Sequence, residues 1–280
     1  MIYNHINKIL SIIFVQFFYI IYKSIINKKY HPLKTKIILK QNGKNIYKYN
    51  TTYIKKIKKV IYSIIIGDYD KVPSFSKKKG YNYFLFTDKN YKNTNWTIIP
   101  ITNLIEKMNI PKVKITRFIK LFPHLFFKDY ELSIYLDANF IIIGDLNELL
   151  LRALNPSFDI YFIQHPFRNK VFQEFKTILK YKKENRKIIN LVRKRYIKEN
   201  FPDNLGLTEN NIIIRRHNIK KIINLMKVWW NEIKNYSYRD QFSLNYAIWK
   251  SNINIKIYYL SKRFMLDYFF YRLHSKKVKY

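Results

Sequence analysis

The sequence has no cysteine, only 5 glycines and few acidic residues among its 280. Without cysteine, disulfide frameworks, zinc–thiolate sites and thiol nucleophiles are excluded. With so little glycine, there is no GxGxxG dinucleotide pattern after the first predicted strand and no GxxxxGK[ST] phosphate loop. Scarce glycine and 18% aromatic residues argue against disorder. The length suits one large folded domain, or one domain with a terminal extension.

The shortage of acidic residues leaves a formal net charge of +35, from 53 lysines and arginines against 18 aspartates and glutamates. Such a charge attracts polyanions. However, the lysines are spread along the chain and accompany abundant Asn, Ile, Tyr and Phe, the residue set of AT-rich codons. No zinc-finger spacing, basic heptad region or RNP-type motif is present. We therefore expect no specific nucleic-acid partner; a membrane surface or an anionic substrate are other uses for the charge.

Residues 9–22 form an apolar run, ILSIIFVQFFYIIY, interrupted only by Ser11 and Gln16. As a helix it reaches about 21 Å, short of the ~30 Å hydrocarbon core of a bilayer. No small-residue cleavage site follows, so a secretory signal peptide fits poorly. A short membrane anchor, an interfacial helix and a buried helix stay open, and with them a membrane-associated or a cytoplasmic location. The sequence divides into this apolar N-terminal segment (1–26), a basic linker or stem (27–59) and a globular domain (60–280).

Strand and helix patterns alternate through the globular part. Apolar runs predict strands at 60–66, 83–87, 96–99, 132–143, 159–164, 211–215 and 253–260. Helical patterns cover 102–108, 112–122, 171–199, 219–233 and 240–249. This alternation predicts an α/β fold with a mostly parallel central sheet flanked by helices.

The most informative segment is LSIYLDANFIIIGD at 132–145. Asp137 and Asn139 are two residues apart at the end of a predicted strand, so both side chains can point the same way. A carboxylate and an amide oxygen side by side suit a hard divalent cation that carries a phosphate. They also lie at the edge where open α/β sheets bind ligands. The alternative is a strand that ends in two turn-forming polar residues.

Seven motifs in order resemble a known family: IIIGDYDKV at 64–72, FTD at 86–88, RFIKLFPHLFF at 117–127, SIYLDANFIIIGDL at 133–146, HPFRNKVFQEF at 165–175, LTENNIIIRRHN at 207–218 and RDQFSLNYAIW at 239–249. Together they resemble the glycosyltransferase-like domain shared by plant mucilage-related and turgor-regulation proteins. YLDANFIIIGDLNELL and DQFSLN are also similar to the DxD region and the Asp-Gln segment of glycogenin-like family-eight glycosyltransferases. The resemblance covers residues 60–249. It implies a nucleotide-binding GT-A fold, a nucleotide-sugar donor and usually Mn²⁺ or Mg²⁺.

One residue departs from the family-eight pattern, because Asn139 stands where that pattern has a second Asp. Asparagine offers a metal a neutral oxygen and no charge, which leaves dependence on a divalent cation open. The resemblance assigns Asp137 and Asn139 to the metal or the ribose. It also suggests His274, near the C-terminus, as a third metal ligand.

The other donor-binding candidates follow predicted strands or lie on the helix 112–122. The aspartates are expected at the base and ribose, with turn capping as the alternative. The helix cations are expected at the nucleotide or its phosphates, with a solvated helix face as the alternative. The histidine–arginine pair could bind donor or acceptor. These candidates are Asp68, Asp88, Arg117, Lys120, His165 and Arg168.

Asp240 is the first catalytic candidate and Glu209 the second. Such a carboxylate could be the acceptor base of an inverting reaction or stabilise an oxocarbenium-like state in a retaining one. For Asp240 the alternative is helix N-capping. Gln241 could hydrogen-bond the transferred sugar.

The sequence therefore predicts a glycosyltransferase that moves a sugar from a nucleotide-sugar donor to a glycan, protein or lipid acceptor. Three alternatives stay open. They are an inactive relative that binds glycans or serves as a scaffold, a basic nucleic-acid-binding protein, and a membrane-associated hydrolase.

Overall fold

The computed structural model describes residues 54–67, 69–73, 75, 77–153 and 158–273. Asp68, His274 and the apolar segment 9–22 lie outside the described residues. Among the residues that are described, no helix is both long enough and apolar enough to cross a membrane.

A seven-stranded sheet forms the centre of the fold. Its strands are β1 (Lys59–Ile65), β2 (Tyr81–Thr87), β3 (Thr97–Pro100), β4 (Leu132–Leu136), β6 (Ile160–Gln164), β7 (Thr208–Arg215) and β8 (Ile257–Leu260). Their order across the sheet is β3-β2-β1-β4-β7-β6-β8. β7 is antiparallel to its neighbours β4 and β6, and every other adjacent pair is parallel. The mostly parallel sheet is therefore confirmed.

Side chains pack on both faces of the sheet, which is why β1 and β4 are buried along their whole length. One face is covered mainly by α1 (Thr102–Met108), α2 (Lys112–Leu121), α6 (Lys220–Asn235) and α7 (Asp240–Ser251). The other face is covered by α3 (Leu146–Ala153) and α8 (Lys262–Met265). Helices α4 (Val171–Lys180) and α5 (Arg186–Lys198) form a third apolar cluster with α7.

The predicted strand 132–143 is wrong as a single element, because it divides into β4 and the short β5 (Phe140–Ile142). The amide of Phe140 donates to the carbonyl of Asp137 at 3.0 Å, which turns the chain between them. β5 leaves the central sheet and pairs antiparallel with β9 (Phe269–Tyr271). Next to it, Gly144 packs so closely that a Cβ atom there would lie 2.6 Å from the carbonyl oxygen of Asp267.

The long predicted helix 171–199 is likewise two helices, α4 and α5. Lys182 has φ of 50° between them, and the Asn185 side chain accepts a hydrogen bond from the Lys187 amide at 2.8 Å to start α5. The predicted strand 253–260 begins only at Ile257. The other predicted elements lie within a few residues of the observed ones.

The packed core extends to Ile54 and Ile57, both buried against the α3 face of the sheet. The sequence pattern assigned these two residues to the basic linker 27–59.

Candidate functional site

The sheet topology gathers the predicted site residues at one edge. β1, β2, β4 and β6 run in the same direction, so Asp88, Asp137 and His165 all follow strands that end at that edge. β7 runs the opposite way, which brings Glu209, near its start, to the same edge. This is the ligand-binding edge of open α/β sheets.

The centre of the site is a buried ion pair between α2 and α7. The Lys120 ammonium Nζ donates to Asp240 Oδ2 at 2.6 Å, and Arg117 Nε lies 3.6 Å from the same oxygen. The Lys120 side chain is 2% exposed and the Asp240 side chain 11%. The solvated-face alternative is therefore wrong for Lys120, and the N-cap alternative is wrong for Asp240, since α7 has no side-chain cap.

Asp240 is held as a carboxylate. Burial acts to raise the pKa of its carboxyl, but the charges of Arg117 and Lys120, the Lys120 hydrogen bond and the charge of Arg239 outweigh it and lower the pKa. The backbone of the residue is also fixed, because Asn210 Nδ2 donates to its carbonyl oxygen at 2.9 Å. The site therefore contains a preorganised negative charge at neutral pH.

Asp137 lies beside this pair and is the more exposed carboxylate. Its Oδ1 lies 3.9 Å from Lys120 Nζ and accepts a hydrogen bond from the Tyr135 hydroxyl at 2.5 Å. Burial, followed by the charge of Asp137, raises the pKa of Tyr135 well above its usual value, so the hydroxyl stays protonated as a donor. The Asp137 side chain is 32% exposed and can reach a ligand.

Asn139 points away from solvent towards the C-terminal strand. Asn139 is 2% exposed. Its side-chain Nδ2 donates to the backbone carbonyl of Arg272 at 3.2 Å, and its backbone carbonyl accepts from the Arg272 amide at 2.8 Å. These contacts tie the turn after β4 to the residue that follows β9.

Within the described residues, no three His, Cys, Asp or Glu side chains come together as a metal site. Mg²⁺ is usually held by one or two carboxylates together with substrate phosphates, and Asp137 fits that smaller role. The metal role of Asn139 stays a prediction, and the predicted third ligand, His274, is not among the described residues.

Glu209, the second carboxylate candidate, forms an ion pair with Lys262 at the start of α8. Asn211 Nδ2 also donates to its Oε2 at 3.3 Å. Because Asn210 bonds to the Asp240 backbone, Glu209 and Asp240 are held on adjoining segments. Gln241, the first residue after Asp240, is partly buried.

His165 is buried and organises the loop after β6. Its Nδ1 accepts hydrogen bonds from the amides of Phe167 at 3.1 Å and Arg168 at 3.0 Å. Burial, followed by the charge of Arg168 and nearby lysines, lowers the pKa of His165 to about 3. Arg168 in turn pairs with the buried Glu174 at 2.6 Å. His165 is therefore neutral at physiological pH and serves this loop as a hydrogen-bond acceptor.

Asp88 links the ends of β1 and β2. Its Oδ1 accepts from the Gly67 amide at 2.7 Å, and its Oδ2 lies 3.3 Å from Lys112 Nζ. These contacts match the turn-capping alternative. The donor-binding role of Asp88 stays a prediction, and Asp68 lies outside the described residues.

The residues of the site that the sequence pattern does not predict include Tyr135 and Lys262. Tyr135 could have been found, because it lies two residues before Asp137 on the same side of β4. Lys262 had no such signal, since its pairing with Glu209 joins segments 53 residues apart.

A family model described as TOD1/MUCI70, glycosyltransferase-like domain, matches residues 30–269. Comparison with curated protein sequences found no match.

Similar solved structures include the bifunctional glycosyltransferase WbbM (11% identity, 73% of this chain and 39% of that one, TM-score 0.43). The mannosyltransferase Ktr4p from S. cerevisiae is 11% identical over 89% of this chain and 84% of that one, with a TM-score of 0.42. Core-mannan synthase A from Aspergillus fumigatus, in a Mn/GDP form, is 9% identical over 77% of this chain and 75% of that one, with a TM-score of 0.42. The chain thus spans less than half of WbbM and most of the other two.

Proposed function

The chain belongs to the TOD1/MUCI70 glycosyltransferase-like domain family, and from that premise we propose that it transfers a sugar from a nucleotide-sugar donor to an acceptor hydroxyl. The observation that carries the proposal is the buried Asp240 carboxylate, held by Lys120 and Arg117 beside the partly exposed Asp137. The acceptor is a glycan, a protein or a lipid.

The charges around Asp240 favour a diphosphate. Three cations, Arg117, Lys120 and Arg239, act on Asp240, whereas the carboxylates here are Asp240 itself and Asp137. The net charge of these five side chains is positive, and a positive charge attracts the doubly negative diphosphate of a nucleotide sugar. Arginine can contact phosphate oxygens through two parallel donors.

Asp137 is the proposed contact for the ribose or for a divalent cation. It is the partly exposed carboxylate at the end of β4, and Mn²⁺ or Mg²⁺ would complete its coordination with donor phosphates and water. A bound cation would offset charge on the diphosphate as the glycosidic bond breaks.

The environment of Asp240 favours charge stabilisation over proton transfer. A general base works best with a pKa near the working pH, whereas the pKa of Asp240 is held below its usual value. We therefore propose that Asp240 stabilises positive charge at the anomeric carbon. Glu209 remains the second candidate for the acceptor base, and Gln241 for a hydrogen bond to the sugar.

A thermal-shift screen of the full chain against UDP- and GDP-sugars, with Mn²⁺, Mg²⁺ or EDTA, tests this proposal. A donor at a hundred times its dissociation constant should add about 2.7 kcal/mol of stability. We expect one donor to shift the melting temperature, and the shift to disappear in Asp137→Ala. Asp129→Ala is the matched control, because Asp129 is exposed and precedes β4, at the opposite edge of the sheet.

The alternatives give different results. Donor binding without release of nucleoside diphosphate would favour the inactive glycan-binding or scaffold protein. No shift with any donor, together with strongly salt-dependent oligonucleotide binding, would favour the nucleic-acid-binding protein.

A further inference from the structure

A completely buried arginine bonds to the backbone of Lys120, the residue that pairs with Asp240. Arg215, the last residue of β7, is 0% exposed. Its Nη2 donates to the backbone carbonyl of Lys120 and to the Tyr62 hydroxyl, and its Nη1 lies 3.1 Å from Met226 Sδ. Within the described residues, no carboxylate pairs with this guanidinium.

The carbonyl of Lys120 needs such a partner because α2 ends at Leu121. The last carbonyls of a helix have no partner within the helix, and Pro123 prevents the helix from continuing. The Tyr62 hydroxyl donates to this carbonyl at 2.7 Å, and Arg215 donates to the same oxygen. A cation at a helix C-terminus also interacts favourably with the helix dipole.

A buried cation without a carboxylate is expensive, and apolar residues of similar volume can often replace buried charges without loss of stability. Burial accordingly lowers the pKa of Arg215. An apolar side chain, however, cannot donate a hydrogen bond to the backbone carbonyl of Lys120. The ammonium of this residue bonds to Asp240 at 2.6 Å and lies 3.9 Å from Asp137.

We propose that Arg215 is a positioning residue for sugar transfer: it fixes the end of α2 so that the Lys120 ammonium lies between the two site carboxylates. The inference rests on the proposed function for its effect on rate. Its effect on the geometry of α2 does not depend on that function.

The kinetic test is a double-mutant cycle in the full chain with the best donor from the screen. Arg215→Met should lower kcat/KM by about 100-fold, since a displacement of about 1 Å at a catalytic group costs that much. Arg215→Lys should recover part of the loss. In a Lys120→Met background, Arg215→Met should change the rate by less than about threefold, because both substitutions act through the same ammonium. Equal losses in both backgrounds, or full activity of Arg215→Met, would overturn the proposal.

Met226→Leu is the control, because it removes only the sulfur contact to Arg215 and should leave the rate unchanged. If Arg215→Met does not fold, Tyr62→Phe removes the other donor to the Lys120 carbonyl and keeps the ring. It should give a smaller loss that also disappears in the Lys120→Met background.

Hydrogen exchange separates this inference from the proposed function. The Phe122 amide bonds to the Phe118 carbonyl at the end of α2 and should exchange faster in Arg215→Met than in Met226→Leu. Faster exchange in a protein that turns over no donor would support the positioning of α2 and count against the transferase. Unchanged exchange would overturn the inference whatever the activity.

Discussion

Replacing Lys120 with methionine should destabilise the protein far more than a surface lysine substitution does. It removes the ammonium at 2.6 Å from Asp240 and leaves Arg117 at 3.6 Å. Losing one partner of a buried ion pair costs about 3–5 kcal/mol. Because Arg117 remains, we expect the lower end, about 3 kcal/mol at neutral pH.

The cost should depend on pH. In the wild type the pKa of Asp240 is lower in the folded state than in the unfolded state. The Asp240 carboxylate therefore stabilises the fold fully above the unfolded-state pKa, and this stabilisation is lost as the pH falls through the folded-state pKa. Without Lys120, its charge and its hydrogen bond no longer lower the folded-state pKa of Asp240, so this pKa should be higher in the variant than in the wild type. The folded variant should therefore take up the Asp240 proton at a higher pH than the wild type does. The difference in unfolding free energy should therefore shrink as the pH falls from 7 towards 4.

Urea unfolding of wild type, Lys120→Met and Lys112→Met at pH 7 and pH 4.5 measures this effect. Lys112 lies on the same helix and pairs with Asp88 at 3.3 Å, but its side chain is 62% exposed. Its substitution should cost less than about 1 kcal/mol. Equal costs for the two lysines, or a Lys120→Met cost that does not change with pH, would contradict a buried ion pair between Lys120 and Asp240.

Three further predictions concern the frame of the site. Gly144→Ala should cost about 3 kcal/mol in urea unfolding, because its Cβ would lie 2.6 Å from a backbone oxygen. Gly67→Ala, at φ +67° in open space, should cost about 1 kcal/mol, and equal costs for the two variants would contradict the close packing at Gly144. Asn139→Asp replaces the donor to the Arg272 carbonyl with an acceptor, so it should lower the unfolding free energy by about 2 kcal/mol in EDTA. Mn²⁺ should restore part of this stability. If Mn²⁺ has no effect, the cation does not bind at residue 139. The folded-state pKa of His165 is about 3, so between pH 7 and 5 the unfolded state takes up a proton that the folded state does not, and the protein loses stability. The unfolding free energy of wild type should therefore fall by about 2 kcal/mol more than that of His165→Asn over this range. Parallel pH profiles for the two proteins would count against a buried neutral histidine.

The sequence predicts local structure where the hydrophobic pattern is decisive. The apolar runs at β1 and β6 and the helix 102–108 are found as predicted, to within one or two residues. Helix α3 is not among the predicted helices, although Asp145 and Glu148 form an Asp-x-x-Glu signal for a helix start in the sequence. In the structure Asp145 accepts a hydrogen bond from the Asn147 amide at 2.8 Å, as that signal indicates. The sequence gives only a weak local signal, Asp-Ala-Asn, for the break between β4 and β5. The break depends mainly on the pairing of β5 with Phe269–Tyr271, which is far away in the sequence.

The candidate site was predictable in its residue types more than in its contacts. Asp137 and Asp240 could be identified from motifs, and the strand pattern brought Asp137 to the correct edge. The Lys120–Asp240 bond joins residues 120 positions apart, and Arg215 contacts Lys120 across 95. Such contacts depend on how α2 and α7 pack on the sheet, and no local pattern encodes that.

The role of Asp240 is tested most directly by the rate at which the full chain releases nucleoside diphosphate from its preferred nucleotide sugar, in wild type and in Asp240→Asn. Asparagine keeps the size of the side chain and removes the charge that Lys120 and Arg117 hold in place. We expect the rate to fall by about 100-fold or more in the variant, with donor affinity changed much less. A variant that releases nucleoside diphosphate as fast as wild type would contradict the assignment of Asp240 as the centre of the site.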